Sequence, residues 1–245
     1  MIETLLQPSY LLILLGSFIG SILGTTFGIG AGIVIAVIIS VSPIADVVPL
    51  YALIILAILL PRFYLLRTQI VWPIVTPFII GSVFGTAIAV NIYIELSENL
   101  IAITLGFLIL TTIWLPPFWL NLRIRQPYVY IGVLHSFIAT LFGFGAIVNA
   151  AIVHSHLDKI RNTATLAGCG CLLNIIKPIA YISVGFDYRS YLSLGLAVFL
   201  VAIPGTIIGK RLGERVPEKK YYLVYKIIVT MVVFHLFYRT WQNIV

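Results

Sequence analysis

The sequence predicts an all-α integral membrane protein. It is built from two inverted repeats of four hydrophobic segments each, residues 1–125 and 126–245, with the first segment of each repeat broken or re-entrant at a glycine motif. Three observations lead there. The 245 residues are 61% hydrophobic and only 9% charged, with a mean hydropathy of +1.12, whereas soluble domains carry about 25% charged residues. Apolar stretches recur eight times, divided by short polar clusters. The pentapeptide FGIGA at 27–31 returns as FGFGA at 142–146.

About 20 apolar residues cross a ~30 Å hydrocarbon core as a helix. The segments lie near 9–41, 44–61, 70–92, 99–120, 128–153, 162–184, 190–209 and 221–241. Polar punctuation falls at Pro43, 62–67, 95–98, 123–126, 154–161, 187–189 and 210–220. The first segment is too long for one straight crossing, since at 1.5 Å per residue it would reach roughly 50 Å. Two half-helices meeting at the glycines fit it better. The fifth segment is shorter and fits either a hairpin or a single tilted span. GSVFG at 81–85 and GTIIG at 205–209 read as close-packing seams of small residues. No charge occurs from Thr4 to Ala45, and Glu3 stands where a signal peptide would be basic, so the first segment is expected to stay in the mature chain.

At a spacing of 115, Ser21, Thr25, Phe27, Gly28, Gly30 and Ala31 recur as Ser136, Thr140, Phe142, Gly143, Gly145 and Ala146. A later match, GSVFGT from Gly81 with GTIIGK from Gly205, has drifted to 124. Charge decides how the copies are oriented. Were all eight segments full crossings, Arg62, Arg67, Arg123 and Arg125 would face one side of the membrane. Lys159, Arg161, Lys210, Arg211, Arg215, Lys219 and Lys220 would then face the other, against the positive-inside rule. If each glycine-bearing segment enters and leaves on the same side, every basic cluster shares one face. Glu95, Glu98, Asp187, Arg189 and both termini then share the opposite one. The expected topology has cytoplasmic basic loops and extracytoplasmic termini.

The same residues exclude other classes. A dinucleotide-binding glycine pattern needs a strand before it and a water-exposed fold around it. The net charge of +7 comes from clusters between apolar segments, not from a basic stripe, so no nucleic acid is expected as a partner. Cys169 and Cys171 point about 200° apart on a helix, which suits small-residue packing and not shared chelation. His154, His156 and Asp158 would lack a fourth metal ligand, and His235 reads as interfacial, so no metal or other cofactor is expected. There is no H-E-x-x-H, no pair of intramembrane carboxylates and no G-x-x-x-x-G-K-[ST] loop, which argues against a membrane-embedded enzyme and an ATP-driven pump.

Backbone that leaves a helix inside lipid must be buried or line a cavity, because unpaired amides there cost several kcal/mol. Matching breaks in two repeats therefore point to a central transport site. Gly28, Gly30, Gly143 and Gly145 let N–H groups approach a ligand, and a half-helix that begins there presents its positive dipole end. Such a site suits a small anion. Ser21, Thr25, Ser136 and Thr140 place hydroxyls about a turn upstream. Lys177 follows fifteen uncharged residues and precedes Pro178, while Arg62 stands at the equivalent position beside Pro61. A cation inside the bilayer is a functional candidate, although either could snorkel to an interface. The two are expected to attract the anion, one at each approach. Asn149 and Asn174 could donate to it or bond between helices. His135 is a candidate for a coupled proton, or for a satisfied interhelical histidine.

The paired glycine motifs, followed in the second half by the Asn-x-x-Lys of NIIKPIAYISVG (Asn174 to Gly185), resemble the TauE/SafE sulfite exporter family over nearly the whole chain. Members usually carry a fuller glycine run in both motifs. Here the copies read GIGAG and GFGAI, and the second departs further. The resemblance implies an integral carrier of the bacterial inner membrane for sulfur-containing anions such as sulfite or sulfonates. The expected function is secondary transport of a small anion across the lipid bilayer by alternating access. Export is favoured, because each negative charge moving outward gains ~2.3 kcal/mol per 100 mV. Uptake would need a coupled proton or sodium ion. An anion channel and an uptake carrier are the alternatives these residues allow.

Overall fold

A computed structural model describes residues 7–27, 30–114, 127–143, 147–153 and 157–213, and within 230–241 all but 232, 235 and 239. Among the described residues only helices and their connections occur. In order they are α1 (Pro8–Phe27), α2 (Ala31–Val41), α3 (Ile44–Leu66), α4 (Trp72–Tyr93), α5 (Glu98–Trp114), α6 (Pro127–Phe142), α7 (Ile147–Val153), α8 (Lys159–Ser183) and α9 (Leu192–Gly213). The described positions between 230 and 241 are helical as well. Of these, α1, α3, α4, α8 and α9 lie in segments long and apolar enough to cross a membrane. Helices suit that setting because they pair their own backbone groups where no water can.

The first and fifth segments are each divided into two helices. α1 stops at Phe27 and α2 starts at Ala31, while α6 stops at Phe142 and α7 starts at Ile147. Gly143 has φ of 75°, a left-handed conformation that L side chains rarely adopt. In the first half α2 folds back along α1, with Gly16 facing Val37 and Gly20 facing Val34. A Cβ at Gly20 would lie 2.6 Å from Val34 Cγ2, and one at Gly30 would collide with the Gly20 carbonyl oxygen. Only small residues permit this approach. Gly28 and Gly145 lie outside the described residues, as do Arg123, Arg125, His154, His156, Arg215, Lys219, Lys220 and His235.

The second segment is longer than its apolar run. Arg62 was expected to end it, but α3 continues through Pro49 and Pro61 to Leu66, so Arg62 sits inside a helix and is buried. A proline lacks the N–H that would pair with the carbonyl four residues earlier. For Pro49 that carbonyl belongs to Ala45, and the Tyr93 hydroxyl donates to it at 2.8 Å. The Pro49 carbonyl in turn accepts from the Tyr188 hydroxyl at 3.1 Å. Neighbouring side chains thus meet the hydrogen-bonding needs that make an internal proline tolerable in a membrane helix.

Helices from the two halves pair reciprocally. α4 lies along α6 and α9 along α1, the two most extensive contacts, while α3 lies against α8. The glycine seams form these contacts, as expected from their spacing. A Cβ at Gly81 would strike the Val129 carbonyl, and one at Gly209 would come within 2.6 Å of the Ile22 carbonyl. Hydroxyls tie the same surfaces. Ser21 donates to the Ala202 carbonyl at 3.0 Å, and Thr26 to the Gly209 carbonyl at 2.9 Å. The main core gathers around α3, where Leu50 and Ile54 meet Ile35, Leu105 and Leu194. Large apolar side chains such as Leu15, Phe84, Ile179 and Leu200 point outward, where hydrocarbon would solvate them.

Candidate functional site

Both breaks open onto one cavity of about 130 Å³, lined from α1, α2, α3, α6, α7 and α8. At roughly 30 Å³ per water in the liquid, that is room for about four waters or one small ion. Gly20 and His135, Val34 and Asn149, Leu59 and Asn174, and Arg62 and Lys177 all line it, each pair 115 positions apart. Equivalent positions of the two halves therefore wall one space. Polar groups are unevenly shared, since His135, Asn149 and Asn174 stand in the second half where the first has Gly20, Val34 and Leu59.

Lys177 is 1% exposed and Arg62 is 8% exposed, so neither snorkels. The Lys177 ammonium donates to the Ala139 carbonyl at 2.9 Å and lies 5.9 Å from the Tyr51 ring centroid. Ala139 belongs to the last turn of α6, whose carbonyls have no partner within the helix and carry its negative dipole end. Tyr181, one turn beyond Lys177, donates to the next of those carbonyls, Thr140. Arg62 Nε donates to the Thr25 hydroxyl at 3.0 Å, and Nη2 approaches the Ser21 carbonyl at 3.5 Å. No carboxylate among the described residues pairs with either cation. Dipoles and hydroxyls offset part of the cost of burying each charge, which is several kcal/mol per ion. They carry no formal charge to balance either cation.

The four expected hydroxyls do not line this cavity. Ser21 bonds to Ala202 and to the Thr206 hydroxyl at 2.9 Å, Ser136 to the Val133 carbonyl, and Thr140 to the Thr86 hydroxyl at 3.5 Å. Thr25 meets the site only through Arg62, while donating to the Ser21 carbonyl at 2.8 Å. Thr25 and Ser136 bond to a backbone carbonyl about one turn back, as short hydroxyls on helices readily do, while Ser21 and Thr140 bond to neighbouring helices. Gly30 and Gly143 line the cavity.

His135 is buried, with its Nδ1 accepting from the Val148 N–H at 3.3 Å. It occupies one of the free N–H groups at the start of α7, and the neutral ring then carries its proton on Nε2. Asn174 is 7% exposed, and its Nδ2 donates to the Gly170 carbonyl at 2.8 Å. Its Oδ1 is buried without a partner among the described residues. Asn149 lines the cavity and is exposed.

Sequence reasoning missed Tyr51, Gly24 and Gly170 in the lining. Gly24 gave no signal in the sequence, and only the structure shows that a Cβ there would fall 3.1 Å from Arg62 Cζ and displace the guanidinium. Tyr51 had none, as an aromatic in an apolar run is ordinary core. Among the described residues no group of three His, Cys, Asp or Glu side chains could hold a metal ion. Cys169 and Cys171 are buried and lie outside the cavity lining.

Searches among curated proteins and among solved structures returned no significant match. A family model described as Sulfite exporter TauE/SafE matches residues 12–236 of the 245. That match spans most of the chain and agrees with its membrane-length helices: the chain belongs to the TauE/SafE family of membrane transporters.

Proposed function

We propose that the chain is a secondary carrier for a small sulfur-containing anion such as sulfite or a sulfonate. It works by alternating access around the cavity between the glycine breaks. The observation that carries this reading is the pair Arg62 and Lys177, two buried cations without a carboxylate partner among the described residues, at equivalent places on one small cavity. An anion there would neutralise charge that the fold leaves uncompensated.

The two halves act as inverted repeats in this account. Supporting it, α1 runs beside α9 in the same direction, with Ser21 near Thr206 and Thr26 near Gly209. α6 runs likewise beside α4, with Gly132 near Ser82 and Thr140 near Thr86. Placing the basic clusters on the cytoplasmic face of the bacterial inner membrane follows from the positive-inside rule. Export then runs with the inside-negative potential, and uptake would require a coupled proton or sodium ion.

Proteoliposomes holding the purified chain test the reading. Saturable sulfite flux should rise when the potential repels the anion from its loaded side and fall when the sign is reversed. Flux equal to that of empty liposomes at both signs would overturn it.

A further inference from the structure

On the outer surface a second cleft, of about 260 Å³, opens between the last turn of α3 and the end of α9. Among the described residues Leu65, Ile207, Lys210 and Arg211 line it, two apolar side chains and two cations with no carboxylate. Ile207, Lys210 and Arg211 share one face of α9, because they stand three and four residues apart. Leu196, Leu200 and Ile203 continue that face toward the start of the helix, and all three are exposed, as Ile207 is. An apolar track of roughly 16 Å, at about 1.5 Å per residue, therefore ends at two positive charges. Cations in a last turn complement the negative end of the helix dipole. That role leaves their N–H groups unpaired, since both are exposed and neither side chain bonds to another described residue. Depth agrees with the charge. Beside Leu65, Tyr64 is 70% exposed, and the Arg67 guanidinium lies 4.2 Å from its ring centroid. Exposed tyrosines and basic side chains mark the level where a membrane helix meets the lipid headgroups.

We propose that this cleft binds an anionic phospholipid, with an acyl chain along the α9 track and the phosphate between Lys210 and Arg211. A free anion meets the two charges but leaves Leu65 and Ile207 without an apolar partner. A zwitterionic lipid covers the apolar walls but brings its own cation to the same place. The site is separate from the cavity between the glycine breaks, and it does not depend on what that cavity carries.

Native mass spectrometry of the purified full chain tests the site, with dioleoyl phosphatidylglycerol and dioleoyl phosphatidylcholine offered at equal concentration. The two lipids share their acyl chains and differ in net charge. Phosphatidylglycerol should be retained roughly twentyfold more tightly, since each cation near an anionic lipid is worth about a factor of five. In a Lys210→Gln, Arg211→Gln double variant the preference should fall to near parity. It should persist in Arg161→Gln, which removes an exposed cation outside the cleft. Exposed, unbonded side chains can be replaced with little effect on folding, and the wild-type comparison stands without the variants. Equal retention of the two lipids by the wild type would overturn the proposal. So would a preference that survives in the double variant, or one that falls as far in Arg161→Gln. Inorganic phosphate at matched ionic strength should leave the bound lipid in place, and displacement by it would overturn the lipid assignment in favour of a free-anion site.

Discussion

Lys177 and Arg62 stand 115 positions apart, line one cavity, and each donates to the helix that ends at a glycine break. Lys177 reaches Ala139 in α6, and Arg62 reaches Thr25 in α1. Each cation thereby joins the second long element of its half to the broken one. A ligand that draws either cation toward the cavity would loosen that half's join between helices. In the carrier proposed above, charge recognition and helix movement would run through the same bonds.

Thr25 touches the cavity only through Arg62, so Thr25→Val and Arg62→Lys should weaken transport by the same route. Each removes the bond between Nε and the hydroxyl, and the double variant should be no worse than Arg62→Lys alone. Initial sulfite flux across the four proteins checks this. Additive losses would place Thr25 elsewhere in the mechanism.

Tyr93 and Pro49 should be energetically linked although they do not bond to each other. Tyr93→Phe leaves the Ala45 carbonyl unpaired, at a cost of about 1–2 kcal/mol. In a Pro49→Ala background the restored N–H at position 49 can take that carbonyl, and the loss should shrink. Denaturation of all four proteins in detergent gives the coupling energy, and a value near zero would contradict the account of α3.

Gly30 and Gly185 separate crowding from strain. Gly185 has φ of 97° and open space where a Cβ would go, so Gly185→Ala should cost only the left-handed penalty of about 1–2 kcal/mol. At Gly30 the Cβ meets backbone of Gly20 and Gly24, which cannot move aside without opening the α1–α2 hairpin. Gly30→Ala should lower the yield of folded protein sharply while Gly185→Ala does not, as size-exclusion profiles of the two would show.

The all-helical character and the apolar segments long enough to cross a membrane were legible in the sequence, because hydropathy and helix length act locally. The fate of the hydroxyls was not. Ser21 and Ser136 each stand four residues before a Thr and six before a Phe-Gly pair, yet Ser21 bonds across to α9 and Ser136 back along its own helix. That choice depends on which helix lies beside each. Arg62 was placed in a loop because a proline and a charge look like an ending, and only the contacts of α3 show how the helix carries both. Asn174 could be named but not assigned, since which of its two polar atoms lacks a partner is a matter of packing.

Sulfite counterflow into liposomes preloaded with unlabelled sulfite, with wild type and Lys177→Met reconstituted at matched amounts, bears most directly on the cavity as the transport site. The substitution keeps a side chain of similar length and removes only the charge and the bond to Ala139. Wild type should accumulate label transiently, while the variant, monodisperse and of near wild-type thermal stability, should remain at the level of empty liposomes. Counterflow by the variant at the wild-type rate would contradict the claim that the anion is held between Lys177 and Arg62.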